Sequence, residues 1–239
     1  TYESESGNQE FVHQTTYGMS ERLLGAIVAT HGDDQGLIMP PSVAPIQVIV
    51  IPIIAKNSSE DMLSEAEKIV SKLKDAGIRA RMDARDIRPG QKYYDWEIKG
   101  VPLRIEIGPR DLANDSFMCA RRTGGKESHP LSNLVDTVND ELSSIGQEMS
   151  KKSKEHFNSC IQKLPSFSLD GDTLVFDESI NTDQVYEMAF EGNDAEAEMI
   201  EKSTGLAFLG NSTNTYSKPK NCIISGKPTH NRVYLARTY

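Results

Sequence analysis

Asp83-Ala-Arg-Asp-Ile-Arg-Pro-Gly-Gln-Lys92, followed after three residues by Trp96-Glu-Ile-Lys-Gly-Val-Pro-Leu-Arg-Ile-Glu-Ile-Gly-Pro-Arg-Asp111, is the stretch from which the fold can be read. Basic side chains alternate there with acids, aromatics and backbone-bending residues. Pro89-Gly90 opens a short helix that stops near Lys99-Gly100, and Val101 to Ile107 alternates like a strand. Upstream, Ile46 to Ile54 is a near-continuous β-branched run, the pattern of a strand buried on both faces. Helix signals follow it: Ser58 or Ser59 as N-cap, Leu63, Ala66, Ile69, Val70 and Leu73 at helical spacing, Lys72 and Lys74 in the last turn, and Gly77 as closing cap. Ile78 to Met82 is the next strand. Strand, helix and strand in this order predict a parallel pair with a right-handed crossover. A turn at Gly108-Pro109 leads to a further strand at Ser116 to Arg122.

Outward from this unit, Leu131, Leu134, Val135, Val138, Leu142, Ile145 and Met149 predict a long helix. It is expected to continue through Phe157 and Ile161 to Leu164 and to end at Pro165. Beyond residue 166, strands at Thr173 to Phe176 and Leu206 to Leu209 flank a predicted acidic amphipathic helix from Thr182 to Ser203. Residues 210–215 read as a loop, and Arg232 to Tyr239 as a last strand. At the other end, Glu10 to Tyr17 looks strand-like and Gly18 permits a turn. Ser20 is placed to cap a helix with Leu23, Leu24, Ile27 and Val28 on its apolar face, stopping near His31-Gly32. Pro40-Pro41 and Pro45 form a stiff connector, which puts a domain boundary near residue 45. Residues 1–45 are too few for a core of their own, and the first residue is Thr1, so the chain is expected to be cut from something longer.

The net charge of −9 argues against nonspecific binding to nucleic acid, but the charge is segregated. Residues 170–201 hold eleven acids and no Lys or Arg, residues 79–126 hold eleven bases against seven acids, and the last 22 residues hold five bases and no acid. A basic island in an acidic chain suits one chosen polyanion. The alternatives are ordinary charge scatter for the island, and a solvated helix face or a protein contact for the acidic stretch. Three scattered cysteines (Cys119, Cys160, Cys222) argue against a disulfide framework and for a reducing, cytoplasmic setting. No apolar run approaches the roughly 18 residues of a membrane span. The dispersed histidines form no ligand spacing, and His31 reads as structural.

Over most of its length the chain resembles the C-terminal part of a prolyl-tRNA synthetase of the archaeal/eukaryotic type. The blocks that carry the resemblance are Gln14-Thr-Thr-Tyr-Gly-Met-Ser-Glu-Arg22, His31-Gly-Asp33, Gly36-Leu-Ile-Met-Pro-Pro41, Pro89-Gly-Gln-Lys92 and Trp96 to Asp111. The implied fold class is α/β. A five-stranded mixed sheet with flanking helices (the class II anticodon-binding domain, 46–130) follows the end of a class II catalytic domain (1–45). A connecting helix (131–165) then leads to a small α+β appendix (166–239).

The implied activity is ATP-dependent activation of proline and its transfer to the matching tRNA, in a homodimer of the complete enzyme, with Mg accompanying ATP. By position, Arg22 matches the catalytic arginine on the ATP γ-phosphate, where a guanidinium gives fixed bidentate contacts. A salt bridge to Glu21 or another nearby acid is the alternative. Gln14 and Ser20 match ATP contacts, while Thr16 and Gly18 match the floor of the proline site. Thr16-Tyr17 departs from the family's Thr-Ser-Trp-Gly pattern, so the pocket wall is expected to differ. Glu97, Arg104 and Arg110 match positions that read the two guanines of the proline anticodon. Arg offers a fork to guanine O6 and N7, and a carboxylate accepts from N1 and N2. Tyr93 could stack on a base, or pack under the sheet. Salt bridging is the alternative for Glu97 and Arg104.

The resemblance implies that many relatives bind zinc in the appendix through four cysteines. Here Glu191 and Glu196 fall near the first pair's places, and Cys222 with Ser225 near the second's, a poor tetrahedral set, so no zinc is expected. In relatives the terminal carboxylate folds back toward the catalytic site, which would be Tyr239, with an edge strand as the alternative. The first two class II signatures are absent, so this polypeptide by itself is expected to be inactive in proline activation. The competing reading is a non-catalytic module derived from a synthetase that binds tRNA or protein.

Overall fold

The computed structural model describes residues 1–54, 59–171 and 173–238. Capping by the side chains of Ser58 or Ser59 and the role of Tyr239 lie outside what is described. The chain divides into two compact units, residues 1–150 and 151–239.

The first unit opens with β1 (Tyr2–Glu3) paired to β2 (Gln9–Glu10), then α1 (Arg22–His31). The expected strand over residues 10–17 therefore stops at Glu10. A strand must hand its backbone N–H and C=O groups to a neighbour, and among the described residues none pairs with residues 11–17. Phe11, Tyr17 and Met19 are all more than four-fifths exposed. Ser20 does not cap α1: the cap residue is Glu21, without a side-chain bond, and Ser20 contributes only its carbonyl to the Leu23 N–H. The apolar side chains Leu23, Leu24 and Val28 are exposed.

The strand β3 (Val48–Pro52) is buried along its whole length, as the β-branched run predicts. It pairs in parallel with β4 (Ala80–Met82) across α2 (Ser59–Asp75), and in parallel with β5 (Leu103–Ile107) after α3 (Pro89–Ile98). The chain then runs through α4 (Pro109–Ala113), β6 (Ser116–Arg121) and β7 (Lys126–Pro130). β5–β6 and β6–β7 are antiparallel, giving a five-stranded mixed sheet in the order β4-β3-β5-β6-β7.

The helix α5 (Leu134–Cys160) presents Leu134, Val138, Leu142, Ile145 and Met149 to one sheet face, beside the buried side of α2. On α2 the buried position is Met62 rather than the neighbouring Leu63. The other face receives α3, whose Trp96 packs with Ile49, Ile51 and Val101. That helix packs on β3 and reaches β5 through Tyr93 and Glu97.

In the second unit, β8 (Ile161–Lys163) replaces the expected end of the long helix. A hairpin follows, β9 (Phe167–Asp170) with β10 (Thr173–Phe176). The predicted helix over residues 182–203 is two elements: β11 (Val185–Ala189), then α6 (Asp194–Thr204). Tyr186 and Met188 alternate into the core, and α6 starts where Asn193 and Glu196 form a capping box. β12 (Ala207–Asn211), the short pair β13 (Lys220–Asn221) and β14 (Pro228–Thr229), and β15 (Arg232–Ala236) complete the unit. Its sheet runs β12-β15-β11-β8, so β15 is central and not an edge strand.

Candidate nucleic-acid interface

Strand alternation sends Leu103, Ile105 and Ile107 into the core under α5 and turns Arg104 and Glu106 to the opposite face. Register then decides their neighbours. Arg104 stands opposite Ala120, which stands opposite Lys126; Glu106 stands opposite Met118, which stands opposite Ser128. From the adjoining helix, Tyr93 and Glu97 reach the same place.

The Glu106 carboxylate is 8% exposed and organises the group. Its Oε1 accepts from Arg104 Nε at 3.0 Å, and its Oε2 accepts from the Tyr93 hydroxyl at 2.9 Å and from Lys126 Nζ at 2.8 Å. Arg104 Nη1 donates to Glu97 Oε1 at 2.8 Å, and its guanidinium lies 4.0 Å from the Tyr93 ring centre. Burial opposes ionisation of Glu106, but the Lys126, Tyr93 and Arg104 partners outweigh it and hold its pKa below the ordinary value. Burial and the Glu106 bond push the Tyr93 hydroxyl up, so it stays a donor. Two cations and two carboxylates balance in formal charge. Such a patch has donors and acceptors suited to base edges, with little excess charge for a phosphate. Arg104 is 16% exposed at its side chain, and its Nη2 has no protein partner among the described residues.

Glu97, Arg104 and Tyr93 are thus brought together. Arg110 is exposed on the first turn of α4 with no partner among the described residues, and does not join them. Glu106 and Lys126 belong to this cluster but are not among the residues expected from the sequence. Strand alternation from Arg104 could have found Glu106; only the β5–β6–β7 register finds Lys126.

Behind this patch α3 is anchored at its other side. Asp83 accepts from Trp96 Nε1 at 2.7 Å and from Arg85, and these bonds outweigh burial to keep it ionised. Buried Lys92 donates to the Asp83 carbonyl at 3.1 Å.

The residues matched to ATP and proline are not assembled into an enclosed site. Gln14, Thr16, Gly18, Ser20 and Arg22 all lie on exposed chain, with Gln14 Nε2 donating to Thr16 Oγ1 at 3.3 Å. Among the described residues nothing lies within 4 Å of the place a Gly18 Cβ would take. The alternative pairing of Arg22 does not form among the described residues. Among the described residues these make no enclosed cradle for a nucleotide.

In the appendix, Cys222 Sγ meets the Glu191 backbone, accepting from its N–H at 3.4 Å, while the Glu196 carboxylate is committed to the Asn193 N–H at 2.9 Å. One thiol with Ser225 nearby, and with one of the two candidate carboxylates spent on a helix cap, is a poor tetrahedral set for zinc. Among the described residues no group of His, Cys, Asp or Glu could hold a metal ion. Acids of the 170–201 stretch are also used internally: Glu187 takes the Tyr216 hydroxyl at 2.9 Å, and Glu201 takes the Phe208 N–H at 2.7 Å. No helix among the described residues is long and apolar enough to cross a membrane.

Comparison with known proteins identifies both regions of the chain. Residues 47–141 match the model of an anticodon binding domain, and residues 175–239 match the model of the prolyl-tRNA synthetase C-terminal domain. A proline-tRNA ligase of Thermococcus kodakarensis is 40% identical over 246 residues, covering 100% of this chain and 50% of that protein. One of Methanosarcina mazei is 40% identical over 248 residues, covering 100% of this chain and 48% of that protein. One of Pyrococcus abyssi is 46% identical over 164 residues, covering 68% of this chain and 34% of that protein. The chain spans about half the length of the curated relatives it matches over its full extent. Its two domain matches and these identities place it: the chain belongs to the prolyl-tRNA synthetase family and carries that family's C-terminal domain.

Proposed function

We propose that this chain is the tRNA-reading part of a proline-tRNA ligase, an enzyme that activates proline with Mg-ATP and transfers it to its tRNA. The complete protein would work as a cytoplasmic homodimer. Within this chain, Glu97, Arg104, Glu106 and Lys126 read the guanines of the anticodon, Tyr93 supports them, and exposed Arg110 contacts the same loop. Gln14, Ser20 and Arg22 would meet ATP, and Thr16 and Gly18 proline, once the remainder of the catalytic domain encloses them. The observation that carries this reading is the charge-balanced cluster on the α3-bearing sheet face, within the matched anticodon-binding region. Glu97 and Glu106 hold two of the Arg104 donors and leave Nη2 without a protein partner among the described residues, a donor available to guanine O6 or N7.

The test is tRNA affinity of Arg104→Ala at several salt concentrations. For tRNA with the proline anticodon, the expected loss is about 1–3 kcal/mol, the scale of a bidentate base contact. With both guanines replaced the loss should be near zero. Equal losses on both tRNAs, with a shallower salt slope, would make Arg104 a phosphate contact and remove the basis for the proposal.

A further inference from the structure

Arg122 lies just past β6, and its side chain is 2% exposed. Its guanidinium uses all its edges. Nη1 and Nη2 fork onto the Asp33 carboxylate, with Nη1 to Oδ2 at 3.0 Å; Nη2 also meets the Gly36 carbonyl at 3.2 Å. Nε donates to the backbone carbonyl of Glu97 at 3.0 Å. Glu97 is therefore held twice, through its carboxylate by Arg104 and through its carbonyl by Arg122.

The segment that Arg122 grips is itself pressed against α3. Leu37 N–H donates to the Ile98 carbonyl and Met39 N–H to the Gly100 carbonyl, both at 3.1 Å. The approach is too close for side chains: a Cβ on Gly36 would lie 2.7 Å from Ile98 Cα, and one on Gly100 2.5 Å from the Leu37 carbonyl oxygen. Gly32 closes α1 by donating to the Val28 carbonyl at 2.8 Å, so Asp33 follows directly on that helix. Arg22 begins the same helix, ten residues and about 15 Å away along its axis.

We propose that Arg122 is a positioning residue that ties the base-reading Glu97 to the strap 33–39 and so couples anticodon reading to the placement of α1. This rests on the function proposed above. A guanidinium fork suits the task because it is planar and always charged, and it fixes orientation as well as distance. Lysine would keep the charge but could not span the Asp33 carboxylate, the Gly36 carbonyl and the Glu97 carbonyl together. The Arg122 bond also holds the Asp33 carboxyl down to about 2, so the pair is ionised throughout the working pH range.

The test uses the full-length protein carrying Arg122→Lys, Asp33→Asn or both, with thermal melts to establish folding. Steady-state aminoacylation is measured with tRNA bearing the proline anticodon and with tRNA whose two guanines are replaced. Proline-dependent pyrophosphate exchange, which needs no tRNA, is measured alongside. Each variant should keep exchange and the KM for tRNA within about twofold, while kcat on the proline anticodon falls about tenfold, inside the usual span of coupling between sites. The substituted tRNA should lose little, so the ratio of the two kcat values contracts. The double variant should lose no more than either single one, because one contact is broken. If Arg122→Lys fails to fold, Asp33→Asn decides, since Asp33 is 45% exposed and loses only a charge. A folded variant with the unchanged ratio overturns the proposal, as does a parallel fall in pyrophosphate exchange. A starting protein with no anticodon dependence would sink the functional reading itself.

Discussion

Glu106→Gln removes the charge at the centre of the candidate interface while preserving side-chain shape. The carboxylate accepts three donors, from Arg104, Tyr93 and Lys126. A glutamine has one acceptor oxygen. Its least costly pose keeps that oxygen toward Tyr93 and Lys126 and turns the NH2 toward Arg104 Nε, losing one charge-assisted bond worth about 1.5–3 kcal/mol. The two surviving bonds weaken as well, because the acceptor is neutral. Lys126 is 47% exposed and can turn to water, so the total should stay below the roughly 3–5 kcal/mol for breaking a fully buried pair. The expected destabilisation is about 2–3 kcal/mol near neutral pH. The sign with pH is fixed by the lowered pKa of Glu106. Its contribution is full above the ordinary value of 4.5 and is lost as pH falls through the lower folded value, whereas glutamine does not titrate. The gap between the two proteins should therefore close on acidification below that value. Denaturant unfolding followed by the single tryptophan, Trp96, reports on the first unit, where that ring is buried beside Ile49 and Ile51. A gap that stays constant from neutral pH to well below the ordinary carboxyl value, or no gap at all, refutes the assignment of Glu106 as the ionised centre.

Removing the capping box of α6 by Asn193→Ala should cost about 1 kcal/mol, seen as a lower melting temperature. Gly77 and Gly100 both have positive φ, at 80° and 70°, but only Gly100 faces a backbone oxygen at contact distance. Gly77→Ala should cost about 1–2 kcal/mol from the left-handed backbone alone, and Gly100→Ala clearly more, in the same denaturant assay. Incubation with a metal chelator should leave the melting profile unchanged, and elemental analysis should find well under one equivalent of zinc.

The parallel β3-α2-β4 unit was legible because its signals agree at every level. A β-branched run is buried on both faces, α2 has a helical stripe, and Gly77 takes the left-handed conformation that ends it. The errors fall where local and long-range signals compete. Residues 182–203 are rich in acids that mimic the polar face of a helix, yet Val185–Ala189 is drawn into a sheet by β15, more than forty residues later. Asn193 with Glu196 was the start signal that the charge pattern hid. Pro109 with Asp111 at its third position opens a helix and does more than turn the chain. The strand β7 is polar and ends in proline, as edge strands often are, and carries no periodic signal. At the site, Tyr93, Glu97 and Arg104 could be chosen by position, but Lys126 joins them only through two cross-strand registers that no local pattern encodes.

On the proposed reading, a chain with a net charge of −9 has to bind a polyanion, and the interface resolves that tension. An acidic surface weakens contacts with arbitrary phosphates and lowers the nonspecific background. What then holds the right tRNA is a patch whose cations are each already fastened to a carboxylate. Arg104 cannot swing toward the nearest phosphate without releasing Glu97 and Glu106, and Lys126 cannot without releasing Glu106. A base edge, by contrast, can be met by the remaining donors and the Glu97 oxygens with those bonds in place. Fastening the cations thus converts attraction for any nucleic acid into preference for one arrangement of donors and acceptors, and the same bonds deliver that choice to α3, where Glu97 passes it to Arg122.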